Sequence, residues 1–193
     1  KEGEFVAIMG RSGAGKSTVL RLLTGAFTAY NGSILIDGIP AANYEIQSLR
    51  HLTGILLSSQ DIFHGTLLQN ITMGNDTISI EKVTRIAKLV GLNTFVESSK
   101  DGYDSILLPV GNKLSKNVRK NILLIRALLG EQRLLLLEDP FNHLEQPFKN
   151  NVIQYIKENK TATVLIASQD EGLSSYCDKV LLINQNGEMN DQS

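Results

Sequence analysis

The chain has 193 residues and a formal net charge of −1, with 42% hydrophobic and 20% charged residues, a globular mixture that excludes disorder, collagen and coiled coil. Nineteen basic against twenty acidic residues give no bulk attraction for nucleic acid or anionic lipid. No apolar run approaches the roughly 20 residues that span a bilayer, so the chain is expected to be soluble, and its one cysteine, Cys177, excludes an internal disulfide and fits a reducing compartment.

Lys1 is not a start methionine and no signal-type segment follows it, so the chain is expected to be part of something longer. The first predicted element is the apolar strand Phe5–Met9. A helix is predicted over Lys16–Thr24, carrying Val19, Leu20, Leu22 and Leu23, with Gly25 placed to end it. Ile34–Asp37, inside Gly32–Gly38, reads as an edge strand closed by a glycine turn, and Gly54–Leu57 as a buried strand. From Asp61 to Gly130 strand signals are absent. Ser79 is placed to cap a helix Ile80–Val90 that aligns Val83, Ile86, Ala87 and Val90; Ser115 is placed to cap Lys116–Leu129, which aligns Val118, Ile122, Ile125 and Leu129. Strands are predicted at Leu134–Leu137, Thr163–Ala167 and Val180–Asn184, with a helical stripe of Phe148, Val152 and Ile156 between the first two. Alternating buried strands and helices predict an α/β fold with a mostly parallel sheet, an antiparallel edge and an inserted helical subdomain. Residues 1–60 and 131–193 form the expected core and 61–130 the insertion.

The densest chemical signal is Gly10-Arg11-Ser12-Gly13-Ala14-Gly15-Lys16-Ser17-Thr18. It matches the phosphate-binding pattern GxxxxGK[ST] in full, between an apolar strand and a helix. Glycines let the backbone turn its N–H groups onto a triphosphate, and the helix start adds a positive dipole end. Lys16 is the expected bridge to the β- and γ-phosphates of that triphosphate, and the Ser17 hydroxyl the expected Mg²⁺ ligand. Cys177 reads as a small packed hydrophobe, His51 and His64 as surface or packing residues, and Phe27 and Tyr30 as closing the core.

These segments resemble the ATP-binding domains of ABC transporters, exporter type. The resemblance rests on "GEFVAIMGRSGAGKSTVLRLLTG", "NGSILIDG", "FHGTLLQNI" and "LSKNVRKNILLIRALLGEQRLLLLEDP". It implies a RecA-like P-loop NTPase core, ATP and Mg²⁺ as ligands, and a second nucleotide-binding domain as partner. It further implies the transmembrane domains of an exporter, no nucleic acid, and a place on the cytoplasmic face of a membrane. Two such domains sandwich two ATP molecules, each between one chain's P-loop and the other's signature.

The chain departs from the family pattern at several motifs. The Walker B acids are exchanged, Glu138 preceding Asp139, so that Glu138 falls to the metal and Asp139 to the attacking water. A register slip would put Asp139 on the metal and Pro140 at the water. The signature LSGGQ reads Leu114-Ser115-Lys116-Asn117-Val118, keeping Ser115 but losing both glycines. Ser168 stands where the switch histidine is expected, Ser58 or Gln60 takes the metal-sensing glutamine position, and Glu145 replaces the D-loop aspartate. The expected activity is ATP binding with slow hydrolysis coupled to export. The alternatives are a non-catalytic regulatory half of a heteromeric transporter and a soluble ABC-type P-loop protein.

Overall fold

The computed structural model describes every residue except Ala26, Thr28, Ala29, Lys160, Thr161, Gln185 and Ser193, and the Asn159 side chain. Its elements in chain order are β1 (Phe5–Met9), α1 (Lys16–Leu23), β2 (Leu35–Ile36), β3 (Ile39–Pro40), α2 (Ile46–His51), β4 (Thr53–Leu56), β5 (Gly65–Thr66), α3 (Leu67–Thr72), α4 (Ile80–Leu89), α5 (Asn93–Ser98), β6 (Ile106–Leu107), α6 (Lys116–Leu129), β7 (Leu134–Glu138), α7 (Gln146–Asn159), β8 (Thr163–Ala167), β9 (Lys179–Ile183) and β10 (Met189–Asp191).

Two units are formed. The first comprises Lys1–Leu57, Glu131–Asp139 and Thr161–Ser193; the second comprises Ser58–Gly130 and Pro140–Lys160. The first holds a six-stranded sheet in the order β10-β9-β1-β8-β7-β4, parallel throughout except for β10 at the edge. Strands buried on both faces need continuous apolar sequence, and Leu135, Leu136 and Leu137 of β7 are fully buried. Each contributes about 1.5–3 kcal/mol of burial. Ile8, Leu20, Leu57, Leu136, Ala167 and Ile183 form one cluster, onto which α1 lays Val19 and Leu23. That packing fixes the start of α1 at the carboxyl end of β1.

The predicted edge strand is placed differently. Leu35–Ile36 pairs with Ile39–Pro40 in a separate two-stranded ribbon, because Asp37 (φ 51°) and Gly38 (φ 78°) form a tight Asp-Gly hairpin turn. The antiparallel edge of the main sheet is β10 instead. Phe27, expected to close the core, is 45% exposed.

In the second unit α6 is the central helix. Eight of its fourteen residues are buried, among them Ile122, Leu124, Ile125 and Leu128, and α3 and α4 pack on it. Ser115 caps it, its Oγ accepting from the Val118 N–H at 3.2 Å; Ser79 caps α4 in the same way at 3.3 Å. A short antiparallel pair, β5–β6, interrupts the stretch expected to be free of strands. Residues 140–160, expected in the core, fall in this second unit with α7. Among the described residues no helix is long and apolar enough to cross a membrane.

Candidate functional site

Between β1 and α1 the chain reverses over Gly10 to Gly15. Gly10 has φ 152°, and a Cβ there would lie 2.7 Å from the Ile183 carbonyl oxygen, so only glycine fits. Gly15, at φ 99°, is the N-cap of α1 and brings no side-chain oxygen to the first-turn amides, and no acidic residue stands in that turn. Lys16 is buried, 8% exposed, with Nζ donating to the carbonyls of Gly10 at 2.7 Å and Arg11 at 2.8 Å. Arg11, Ser12, Gly13 and Thr18 are exposed, and Ala14 packs against the core cluster. A cavity of about 470 Å³ opens beside the loop, bounded by Gly10 to Ala14 and by Leu182, Ile183 and Asn184.

The apolar strand β7 ends on Glu138, and Asp139 follows it at the carboxyl end of the sheet. The Ser17 hydroxyl donates to Glu138 Oε1 at 2.5 Å. Asp139 leaves the strand at φ 43°, its N–H donating to the Ala167 carbonyl at 2.9 Å. That turn sends its carboxylate away from Ser17, to accept from the Ser168 hydroxyl at 2.9 Å. Ser168 is 1% exposed; its N–H donates to the Ile8 carbonyl, and its Oγ accepts from the Asp170 N–H at 3.2 Å. Residues from the carboxyl ends of β1, β7 and β8 thus converge, the place where open α/β sheets take ligands.

The donor set suits magnesium and a polyphosphate. A hydroxyl beside a carboxylate supplies hard oxygens for a cation that keeps its other positions for water and phosphate. Among the described residues no group of three or more His, Cys, Asp or Glu forms a protein cage. A buried ammonium held by the main-chain carbonyls of Gly10 and Arg11 suits an anion.

Gln60 and Ser115 belong to the second unit. Gln60 is half-buried in the loop after β4, whereas Ser58, Ser115, Lys116 and Asn117 are exposed. Asn117 and Glu145 border one cavity of about 340 Å³ together with Asn121 and His143. His51 and His64 are exposed, and Cys177 is half-buried.

Two polar clusters escaped the sequence reading. His143 Nε2 lies 2.8 Å from Asn121 Oδ1, and Asn121 Nδ2 donates to the Val90 carbonyl at 2.9 Å. Arg126 donates to the main-chain carbonyls of Asn70 and Asp61 and to Asn70 Oδ1, with its guanidinium 5.6 Å from the Phe63 ring centre. Burial pushes its pKa down to about 10, with Asp61 opposing. The signal available was a cation inside the apolar run Ile122–Leu129.

The family model described as ABC transporter matches residues 1–142. The alpha-hemolysin translocation ATP-binding protein HlyB of Escherichia coli is 30% identical over 186 residues, 96% of this chain and 26% of that protein. The leukotoxin export ATP-binding protein LtxB of Aggregatibacter actinomycetemcomitans is 29% identical over 99% of this chain and 27% of its own length. A solved structure, a bacterial Atm1-family ABC exporter with ATP bound, superposes with a TM-score of 0.86 at 29% identity, over 95% of this chain and 32% of the other. The chain therefore spans about a quarter of the length of these curated relatives.

Proposed function

The chain belongs to the ABC transporter family, and from that premise we propose that it is the ATP-binding domain of an exporter, coupling Mg·ATP binding and slow hydrolysis to transport. The observation that carries this reading is the trio of buried Lys16, Ser17 and Glu138 at the mouth of the glycine loop. In this reading residues 1–60 and 131–193 supply the nucleotide site's Lys16, Ser17, Glu138, Asp139 and Ser168, and 61–130 carry the signature-like segment. The partners are a second nucleotide-binding domain and the exporter's transmembrane domains, at the cytoplasmic face of a membrane.

The residues divide the work. Lys16 exchanges its two carbonyl bonds for β- and γ-phosphate oxygens; it is already desolvated, so little is lost on binding. Ser17 would hold the cation through its hydroxyl oxygen, with Glu138, to which its O–H donates, beside it. Bound Mg²⁺ supplies charge neutralisation of the phosphates. Gln60 is the candidate metal-sensing glutamine of this reading. Asp139 is the general base for the attacking water, and Ser168 orients it. Serine carries no charge to offer the γ-phosphate, and a carboxylate displaced by ~1 Å costs ~10²-fold in rate. Ser115, Lys116 and Asn117 face the partner's nucleotide.

A non-catalytic regulatory role is the second reading, favoured by the Ser168–Asp139 bond, which replaces a switch histidine by a neutral hydroxyl. Two measurements decide. Titration with Mg·ATP should saturate in the wild type and weaken at least tenfold in Lys16→Ala; undiminished affinity overturns the site. Phosphate release, measured alone and with a partner domain bearing intact motifs, separates the readings: none in either setting leaves the regulatory role.

A further inference from the structure

Within the second unit, one side chain ties a loop to a helix. The loop leads into α7 and ends on Glu145, the D-loop position. Its Phe141 is buried, and the Leu144 N–H donates to the Phe141 carbonyl at 3.0 Å, so the loop is anchored at its start and folds back on itself. His143 stands inside that turn. The helix is α6, which opens on Ser115, Lys116 and Asn117 and carries Asn121 one turn later. Asn121 is buried, and its Nδ2 is committed to the Val90 carbonyl at 2.9 Å, just past the end of α4. Its Oδ1 therefore faces the ring, and His143 Nε2–H donates to it at 2.8 Å. Asn117 and Asn121 of the helix and His143 and Glu145 of the loop all border the cavity of about 340 Å³. Packing does not fill the space between loop and helix there, so the hydrogen bond sets it.

An imidazole in this place is unfavourable. It is half-buried, and its Nδ1 is buried without a hydrogen-bond partner among the described residues. An apolar side chain of similar size would leave no ring nitrogen unpaired. What the imidazole supplies is an N–H aimed at an acceptor that is itself fixed. The loop is thereby referred through Asn121 to α6 and to the end of α4.

We propose that His143 is the positioning residue of the partner-facing surface of the second unit: through Asn121 it holds Glu145 in register with Ser115, Lys116 and Asn117, and so sets how tightly the ATP-bound chain associates with a second nucleotide-binding domain. This role needs no contact between His143 and nucleotide. The inference rests on the sandwich arrangement proposed above.

The test measures Mg·ATP-dependent association of the 193-residue chain by sedimentation near neutral pH, with itself and with a partner domain bearing intact motifs. Mg·ATP affinity at concentrations too low for association is the reference. His143→Leu loses the N–H. It should weaken association about tenfold, the scale of one misplaced hydrogen-bonded contact. It should leave Mg·ATP affinity within twofold, because Lys16, Ser17 and Glu138 lie in the first unit. His143→Gln puts an amide N–H in place of Nε2–H and should associate within twofold of wild type, a rescue that mere filling of space does not produce. His143→Leu with Asn121→Leu removes both partners, leaves no orphaned Oδ1, and should weaken association no further than His143→Leu alone, because the two residues act as one. Thermal unfolding is followed in parallel, and whichever leucine variant stays folded carries the test. A folded leucine variant that associates like wild type overturns the proposal, as does a His143→Gln chain as weak as the leucine variant, or an additive double variant. A wild-type chain that associates with neither partner overturns instead the sandwich on which the proposal rests.

Discussion

A half-buried imidazole makes the chain's stability depend on pH. Burial, reinforced by the charge of Lys120, pushes the pKa of His143 down from 6.5 to about 4. Because Asn121 Nδ2 is committed to the Val90 carbonyl, its Oδ1 faces the ring, which assigns the neutral tautomer with Nε2–H donating. Protonation therefore goes first to the unfolded chain. The contribution of His143 is complete above about pH 6.5 and is lost as pH falls toward 4. Discounted for partial solvation, it amounts to about 1–2 kcal/mol. Between pH 7 and pH 5 the melting temperature of the wild type should fall more steeply than that of His143→Gln. Equal slopes would show that the ring titrates normally. The same logic of neighbours distinguishes the two acids. Glu138 and Asp139 are adjacent in sequence, yet one answers Ser17 and the other Ser168, because a left-handed turn at Asp139 separates them.

At the scale of elements, the end of α4 shows how one glycine sets a packing distance. Gly91 sits at φ 74°, and a Cβ there would meet the Phe148 ring at 2.9 Å. Gly91→Ala combines left-handed strain with a clash against α7 and should cost about 1–3 kcal/mol. At about 2–4 °C per kcal/mol for a chain of this size, thermal unfolding should shift down by several degrees; an unchanged midpoint would mean that α7 does not depend on this contact. Elements with strong periodicity and punctuation were legible. The sequence marks α6 at Lys116–Leu129 and β8 at Thr163–Ala167 with the bounds they have in the fold. Short pairing was not: β5 and β6 have two residues each, too few for any alternation to register. Phe148, Val152 and Ile156 announced a helix but not which unit it would join, since a stripe states that it will be covered and not by what. At the candidate site the glycine loop was readable because its chemistry demands residue types at fixed spacing. The Arg126 cluster was not, because two of its three bonds go to main-chain oxygens 56 and 65 residues away, and main chain carries no sequence signal.

For the whole molecule, the departures from the family pattern follow a logic of pairing. In the proposed sandwich each site joins one chain's P-loop, Glu138, Asp139 and Ser168 to the other chain's Ser115, Lys116 and Asn117. A pair of identical copies therefore repeats every defect in both sites. Repairing only the signature, by Lys116→Gly with Asn117→Gly, leaves exchanged acids opposite each restored signature. Repairing only the acids, by Glu138→Asp with Asp139→Glu, leaves a glycine-less signature opposite each restored acid. Two groups that must act on one phosphate at once do not contribute additively. In the homodimer each repair alone should therefore raise phosphate release only slightly, whereas the two together should exceed the product of the single gains. Paired with a domain whose motifs are intact, the acid repair alone should raise turnover more than it does in the homodimer, because the partner supplies the missing glycines. Turnover of each variant, alone and mixed, measures this. If the two repairs multiply independently in the homodimer, the defects do not meet in shared sites and the composite arrangement is wrong. If the signature repair alone restores turnover without a partner, the exchanged acids Glu138 and Asp139 are competent as they stand, and the loss lies with Lys116 and Asn117.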